Sequence, residues 1–302
     1  MSVNSIGPEL WTRACSDEPM HQWLEELFPI CRSLTGNGVR TTLRYIQKLV
    51  PLMQLHEVPS GTVAFDWTVP EEWNISEAYI ENERGERLVD FTDCNLHVVG
   101  YSVAVDAWMD RQELEPFLHS LPQYPDWIPY VTSYYQRSWG FCLTQRQRDA
   151  MPSGKYHAVI RSTLTAGSLS YGEILIPGQS KDEVLLSTYV CHPSMANNEL
   201  SGPVVTTALA RWITSLPKRA LTYRIIFVPE TIGSIVYLSQ HLKELQQNIR
   251  AGFVVTCVGD DRTFSFLPSR NDNTLADRVA RHVLRHRAPG YKVYSFLDRG
   301  SD

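Results

Sequence analysis

Three short segments of this chain carry the residue types that hydrolytic chemistry needs. Residues 191–202, CHPSMANNELSG, follow the apolar run 184–190; Pro229-Glu230-Thr231-Ile232-Gly233 follow the run 223–228; Thr256-Cys257-Val258-Gly259-Asp260-Asp261 close a third. In α/β proteins, ligands bind in the crevice outside the carboxyl ends of the strands, so polar groups just after apolar runs converge there. A hydrolytic zinc site asks for imidazole and carboxylate ligands around one position left open for water. His192, an acid from its loop and an acid from a neighbouring strand end supply the beginnings of such a site. A lone histidine after a strand more often serves structure, but His192 has company: Asn198 and Glu199 follow where the loop can fold back to it. Ser201-Gly202 then opens a helix whose first N–H groups face the crevice. Glu230, behind Ile225-Ile226-Phe227-Val228-Pro229, is a partly solvated carboxylate suited to act as general base toward a metal-bound water. The same place also suits an acid at the positive end of a helix. Asp260 and Asp261 suit either a ligand or a turn.

The elements that must position these groups follow from periodicity. From residue 156 the chain alternates strand and helix patterns: strands at 156–162, 168–176, 183–190, 223–228 and 252–258, and helices at 202–215, 232–247 and 274–286. Near-continuous β-branched runs indicate strands covered on both faces, and the hairpin-like pair before Val184 makes the sheet mixed. Residues 20–53 read as two helices around a Gly-containing turn at 33–38, with Thr41 or Thr42 as cap of the second. Between lies a β-rich stretch. Strand-like alternation runs over 63–70, 73–80, 90–100 and 101–105, with a hairpin turn at 82–86 and a short helix at 111–120. The aromatic segment around Tyr124, Trp127, Tyr130, Tyr134, Tyr135, Trp139 and Phe141 is expected to form an inter-domain seam rather than a sugar or peptide platform. Three parts result: an N-terminal helical part of the core (1–57), an inserted β-rich module (58–155) and the main α/β core (156–302). The last strand pattern, 293–296, is followed by a turn on which the chain stops, which reads as a core without its closing helix.

Composition sets the class. At 43% hydrophobic and 20% charged, with a net charge of −5 spread without blocks, the chain is globular and offers no nucleic-acid surface. The six cysteines are scattered without a CxxC, as in a reducing compartment. Neither a signal peptide nor a membrane-spanning run is apparent, so the expectation is a cytoplasmic protein acting on a small molecule, with no membrane partner. A serine-nucleophile mechanism lacks its GxSxG elbow. A Cys191 nucleophile is disfavoured because neighbours on an extended chain point to opposite faces.

The three motifs, in this order and spacing, resemble the uncharacterised aminopeptidase-like domain family, related to the dinuclear zinc aminopeptidases of the bacterial leucyl aminopeptidase type. Residues 96–102, 125–135 and 139–142 share the resemblance, which runs from about Leu34 to the end. It implies a mixed-sheet, zinc-aminopeptidase-like three-layer α/β core with an inserted small β-rich domain. It also implies a metallohydrolase cleaving a peptide or amide bond, and a link to bacterial cell-surface polysaccharide pathways. Carried over by residue, His192 falls on a zinc-ligand histidine and Glu230 on the general base. Asn198 falls where the related enzymes have the aspartate that bridges two zincs, and Thr231 where they have a second glutamate ligand. Their last aspartate ligand is matched loosely, by Thr256 or by Asp260. Asn is a neutral, weaker ligand that cannot hold two dications together. A further histidine of those enzymes falls beyond residue 302. The expected metal set is therefore His192, Asn198 and Asp260 around a single zinc or none, with Glu199 replacing the lost acid if the loop shifts by one residue. The alternative is a non-catalytic relative that binds a peptide or sugar in the same crevice.

Overall fold

The computed structural model describes residues 19–299 except Tyr135. Cys15, the N-terminal stretch searched for a signal peptide, and Ser301-Asp302 lie outside the described residues. The chain opens with helices α1 (Met20–Leu27) and α2 (Asn37–Leu49) and strand β1 (Gln54–Pro59). Strands β2 (Glu72–Asn82), β3 (Arg87–Asp90), β4 (Val105–Asp110) and β5 (Lys155–Thr165) follow. Then come β6 (Ser168–Ile176), β7 (Glu183–Tyr189), α3 (Ser201–Ser215), β8 (Thr222–Val228), α4 (Ile232–Asn248), β9 (Ile249–Val254) and α5 (Leu275–Arg287).

Five strands form a mixed sheet in the order β1-β6-β8-β7-β9, with β1/β6 and β6/β8 antiparallel and β7 parallel to both β8 and β9. Side chains divide with the period of two that a pleated strand imposes. Ile225 and Phe227 of β8, with Ile174 and Ile176 of β6, join Val39, Leu43 and Ile46 of α2 and Ala210 and Ile213 of α3. Ile226 and Val228, with Leu169 and Tyr171, join Ile232, Val236 and Tyr237 of α4 on the opposite face. Phe227 is fully buried, worth about 1.5–3 kcal/mol relative to exposure. The result is a three-layer core, helix–sheet–helix.

The second sheet is wholly antiparallel, in the order β3-β2-β5-β4. Strand β5, expected as the first strand of the α/β rhythm, pairs instead with β2 along its whole length. Its buried centre, Ala158-Val159-Ile160, imitates a core strand, but its ends alternate as a half-exposed one does. Other expectations shift locally. Residues 63–70 form a tight hairpin of two-residue strands, and 101–104 is loop leading into β4 at Val105. Helix 111–120 shrinks to Arg111–Leu114 and a 3-10 turn, because Pro116 cannot continue the hydrogen-bond ladder. Helix α2 starts at Asn37, so Thr41 and Thr42 lie inside it and Gly36, at φ 99°, occupies the cap.

Part of the aromatic segment is a seam. Trp73 stacks on Tyr101, whose other edge meets Tyr134. The Thr35 hydroxyl, on the α1–α2 loop, hydrogen-bonds the Tyr101 hydroxyl at 2.6 Å and accepts from the Trp73 amide at 3.1 Å. One apolar cluster runs from Ala78, Ile80 and Phe141 of the β-rich part to Cys191, Ile226 and Val228 of the main sheet. Tyr124 and Trp127 depart from it; they stack on each other and remain exposed. Among the described residues no helix is long and apolar enough to cross a membrane.

Candidate metal and acid–base site

Strands β7, β8 and β9 run parallel, so their carboxyl ends open on one edge, and each ends in a non-glycine residue with positive φ nearby. These are Ser194 (φ 31°), Thr231 (φ 56°) and Cys257 (φ 50°). Such backbone costs on the order of 1–3 kcal/mol per residue and clusters where geometry is imposed by function. At Thr231, φ 56° and ψ −73°, with Ile232 N donating to Glu230 O at 2.6 Å, form a positive-φ γ-turn. It turns the chain sharply between Glu230 and α4, leaving Glu230 just ahead of the helix cap rather than in the first turn.

His192 is buried at the tip of β7. Its Nδ1 lies 2.9 Å from Glu199 Oε2 and its Nε2 lies 3.2 Å from Glu230 Oε2. Tyr130 and Tyr189 both meet the ring edge-on, with centroids at 4.8 and 5.2 Å, and form its walls. Glu199 is fully buried, and its Oε1 lies 3.3 Å from Nε of Arg32, which is buried as completely. Arg32 Nε also donates to the His192 carbonyl at 2.9 Å, and its Nη1 donates to Leu27 O at 2.8 Å. Burial disfavours a charged His192, but the Cys191 sulfur and the Glu199 and Glu230 carboxylates outweigh it, so the imidazole titrates above the ordinary histidine range. Burial pushes the Cys191 thiol upward.

Cys191 does not point away from His192. The strand ends at Tyr189, and in the loop that follows the Cys191 sulfur comes within 3.6 Å of His192 Nδ1 and accepts from Glu230 N at 3.2 Å. The motif loop is a π-helical turn, Ala196–Leu200, running straight into α3, with Ser201 N bonded to Ala196 O. The N–H groups at Ser201-Gly202 are therefore not a free helix start. The wider π turn carries Glu199 inward onto the imidazole and leaves Asn198 outside it. Asn198 takes a bifurcated hydrogen bond from the Tyr189 hydroxyl, at 2.7 Å to its carbonyl and 3.1 Å to Oδ1, and that hydroxyl accepts from Thr256 at 2.8 Å. Asp260 is exposed and held by Arg262 and by Asn197 Nδ2; these bonds, Arg262's foremost, keep its carboxyl below the usual range.

Among the described residues, one group of three His, Cys, Asp or Glu side chains has donor atoms that all lie within 4.8 Å of one another: Cys191, His192 and Glu230. Asp260 is not in it. Imidazole, thiolate and carboxylate are all zinc donors, and nitrogen and oxygen ligands about 2.0–2.2 Å from a tetrahedral ion stand roughly 3.3 Å apart, close to the separation of His192 Nε2 and Glu230 Oε2. Glu199 on the far nitrogen is the carboxylate–histidine arrangement that orients such ligands. The donors fit one divalent cation. Asn198, expected as a further ligand, is neutral and already hydrogen-bonded by Tyr189. Sequence reasoning missed Arg32, whose loop gives no sign that it reaches a residue 160 positions later. It also missed the two tyrosines facing the ring.

A mixed sheet between helical layers, with a histidine at one strand tip and a glutamate at the next, defines an aminopeptidase-like α/β protein. Solved structures agree on the fold. A putative peptidase from Clostridium acetobutylicum is 46% identical with a TM-score of 0.93, over 97% of this chain and 69% of that one. A peptidase M28 precursor from Shewanella amazonensis (12% identical, TM-score 0.63, over 95% and 81%) and a zinc aminopeptidase from Bacillus subtilis (10%, 0.59, over 91% and 78%) share the architecture. Residues 21–302 match the model of the family described as "Domain of unknown function (DUF4910)", and the chain belongs to that family. A Clostridium acetobutylicum relative, a putative polysaccharide biosynthesis protein with aminopeptidase-like domain, is 48% identical over 283 residues, 94% of this chain. The chain spans 64% of that relative's length.

Proposed function

We propose that the protein is a metal-dependent amide or peptide hydrolase that uses a single divalent cation, zinc by the chemistry of its donors. The observation that carries this reading is the convergence of Cys191, His192 and Glu230 at the ends of adjacent parallel strands. His192, Cys191 and Glu230 would hold the ion, which when bound lowers the pKa of water and polarises a carbonyl. Glu230 is the member of the group that solvent reaches, its side chain being 19% exposed. It takes a proton from the attacking water and returns it to the departing amine. Tyr130 and Tyr189 narrow the approach to His192 and exclude bulk water from one side of it. The names of the relatives support a peptide-like substrate, and one of them ties the fold to polysaccharide biosynthesis.

A second reading, a relative that binds a peptide or sugar without cleaving it, rests on the neutral chain from Thr256 through Tyr189 to Asn198. Metal analysis and assay with aminoacyl amides separate the two. The hydrolase reading expects one zinc per chain, lost in His192→Ala, and measurable amide cleavage. Folded protein that takes up no zinc and cleaves no amide sinks it.

A further inference from the structure

We propose that Tyr124 and Trp127 form a subsite for a hexopyranose ring carried by the substrate, at the rim of the crevice that His192 marks. The place of this subsite in catalysis rests on the hydrolase reading; the binding of the sugar does not. Three observations carry it. The first is a rigid platform. Tyr124 and Trp127 leave the aromatic seam and stack on each other, with centroids 4.4 Å apart and planes 11° from parallel, while 48% and 61% exposed. Their turn makes the stack: Trp127 N donates to Tyr124 O at 3.0 Å, and Pro125 takes the second position, where its fixed φ is favoured. Arg146, on the short helix Gln145–Asp149, grips this turn twice, by its amide to Pro125 O at 3.3 Å and by its guanidinium to the Asp126 carboxylate. Two large rings are thus held in water in one arrangement, so a ligand that lands on them has little ordering left to impose. The second observation is position. Tyr130, three residues on, meets the His192 ring edge-on with centroids at 4.8 Å, and three residues span at most about 11 Å. One molecule can therefore rest on the platform and reach His192. The third is the chemistry of the rim. An aromatic face is electrically negative and attracts C–H groups laid over it. The Tyr124 hydroxyl and the Trp127 indole N–H enter no hydrogen bond among the described residues, and the Asp126–Arg146 pair beside them is exposed. A pyranose has a C–H face and a girdle of hydroxyls, so it meets both the rings and their polar edge. An apolar amino-acid side chain would cover the rings and leave the donors and acceptors it shields without partners, which costs binding.

Methyl β-glucopyranoside, titrated into the full chain labelled with nitrogen-15, tests it. The Trp127 indole N–H signal, assigned by its loss in Trp127→Phe, should shift with added glucoside. Tyr124→Ala should weaken the affinity so read by about tenfold. Both residues are exposed, so cooperative thermal unfolding should persist in the variants. Phenylalaninamide should leave the Trp127 signal in place. A signal that ignores the glucoside, or that moves with phenylalaninamide instead, overturns the inference. Turnover supplies a second arm: an aminoacyl amide whose amine carries a glucosyl group should have a KM about tenfold below that of its unglycosylated counterpart, and Trp127→Ala should abolish the advantage. An advantage kept in that variant also overturns the inference. If the protein cleaves neither amide, the hydrolase reading falls, and the indole titration still decides whether the platform takes a sugar.

Discussion

The Tyr189 hydroxyl shares its one proton between two acceptors of Asn198, the carbonyl at 2.7 Å and Oδ1 at 3.1 Å. The side chain expected as a metal ligand is thereby committed to a neutral hydrogen-bond chain. Asn198→Asp adds a negative charge without changing shape, and Tyr189 can still donate to it. Zinc affinity should rise by roughly tenfold or more, as ligand charge sets affinity for hard and borderline cations. Titration calorimetry or chelator competition measures it. An unchanged affinity would place Asn198 outside the metal's reach.

Glu230→Gln keeps the size of the side chain and an oxygen donor but cannot accept a proton. Amide cleavage should fall by about 10²–10⁴-fold in kcat, with zinc content closer to that of the unsubstituted protein than in His192→Ala. Equal loss of zinc in both variants would make Glu230 a ligand first and a base second.

Gly202 is a position of close approach between α3 and the strand tips. A Cβ there would stand 2.4 Å from Val255 O and 2.5 Å from Thr188 Oγ1. Gly202→Ala should destabilise by about 1–3 kcal/mol, lowering Tm by several degrees. Gly61→Ala, where a Cβ meets nothing within 4 Å, is the spatial control; its φ of 85° makes the backbone cost visible by itself. A Gly202→Ala loss no larger than that of Gly61→Ala would contradict the packing argument.

Glu72 joins the two sheets. It is bonded by Arg40 of α2, by Asn74 and by the Ser168 amide at the start of β6. These bonds, Arg40's foremost, prevail over burial and bring its carboxyl down to about 2. A carboxylate depressed in the folded state contributes stability that is fully present above the unfolded value and lost as pH falls through the folded one. The loss should run from about pH 4.5 down to about 2. Thermal melts of Glu72→Gln against the unsubstituted protein should differ at pH 6 and converge at pH 2. A constant difference would assign the role of Glu72 to packing.

His192 and Glu230 were legible because each follows an apolar run that can only be a buried strand, and a polar residue there has one place to go. The three-layer core was legible for the same reason. Glu199 was harder: the resemblance points to its neighbour Asn198, and only the π-helical turn decides which of the two faces the imidazole. Nothing local announces a five-residue turn. Arg32 was invisible because its partners are backbone carbonyls and a carboxylate from remote segments. The sheet of β5 was hidden by its buried centre, which reads alike for a strand covered by helices and one covered by loops.

The apolar cluster that passes without a break from Phe141 and Ile80 to Ile226 and Val228 has a mechanical consequence. Tyr130, on the loop of the β-rich part, meets the His192 ring of the main sheet edge-on, so moving one part against the other would have to break both this contact and the apolar cluster.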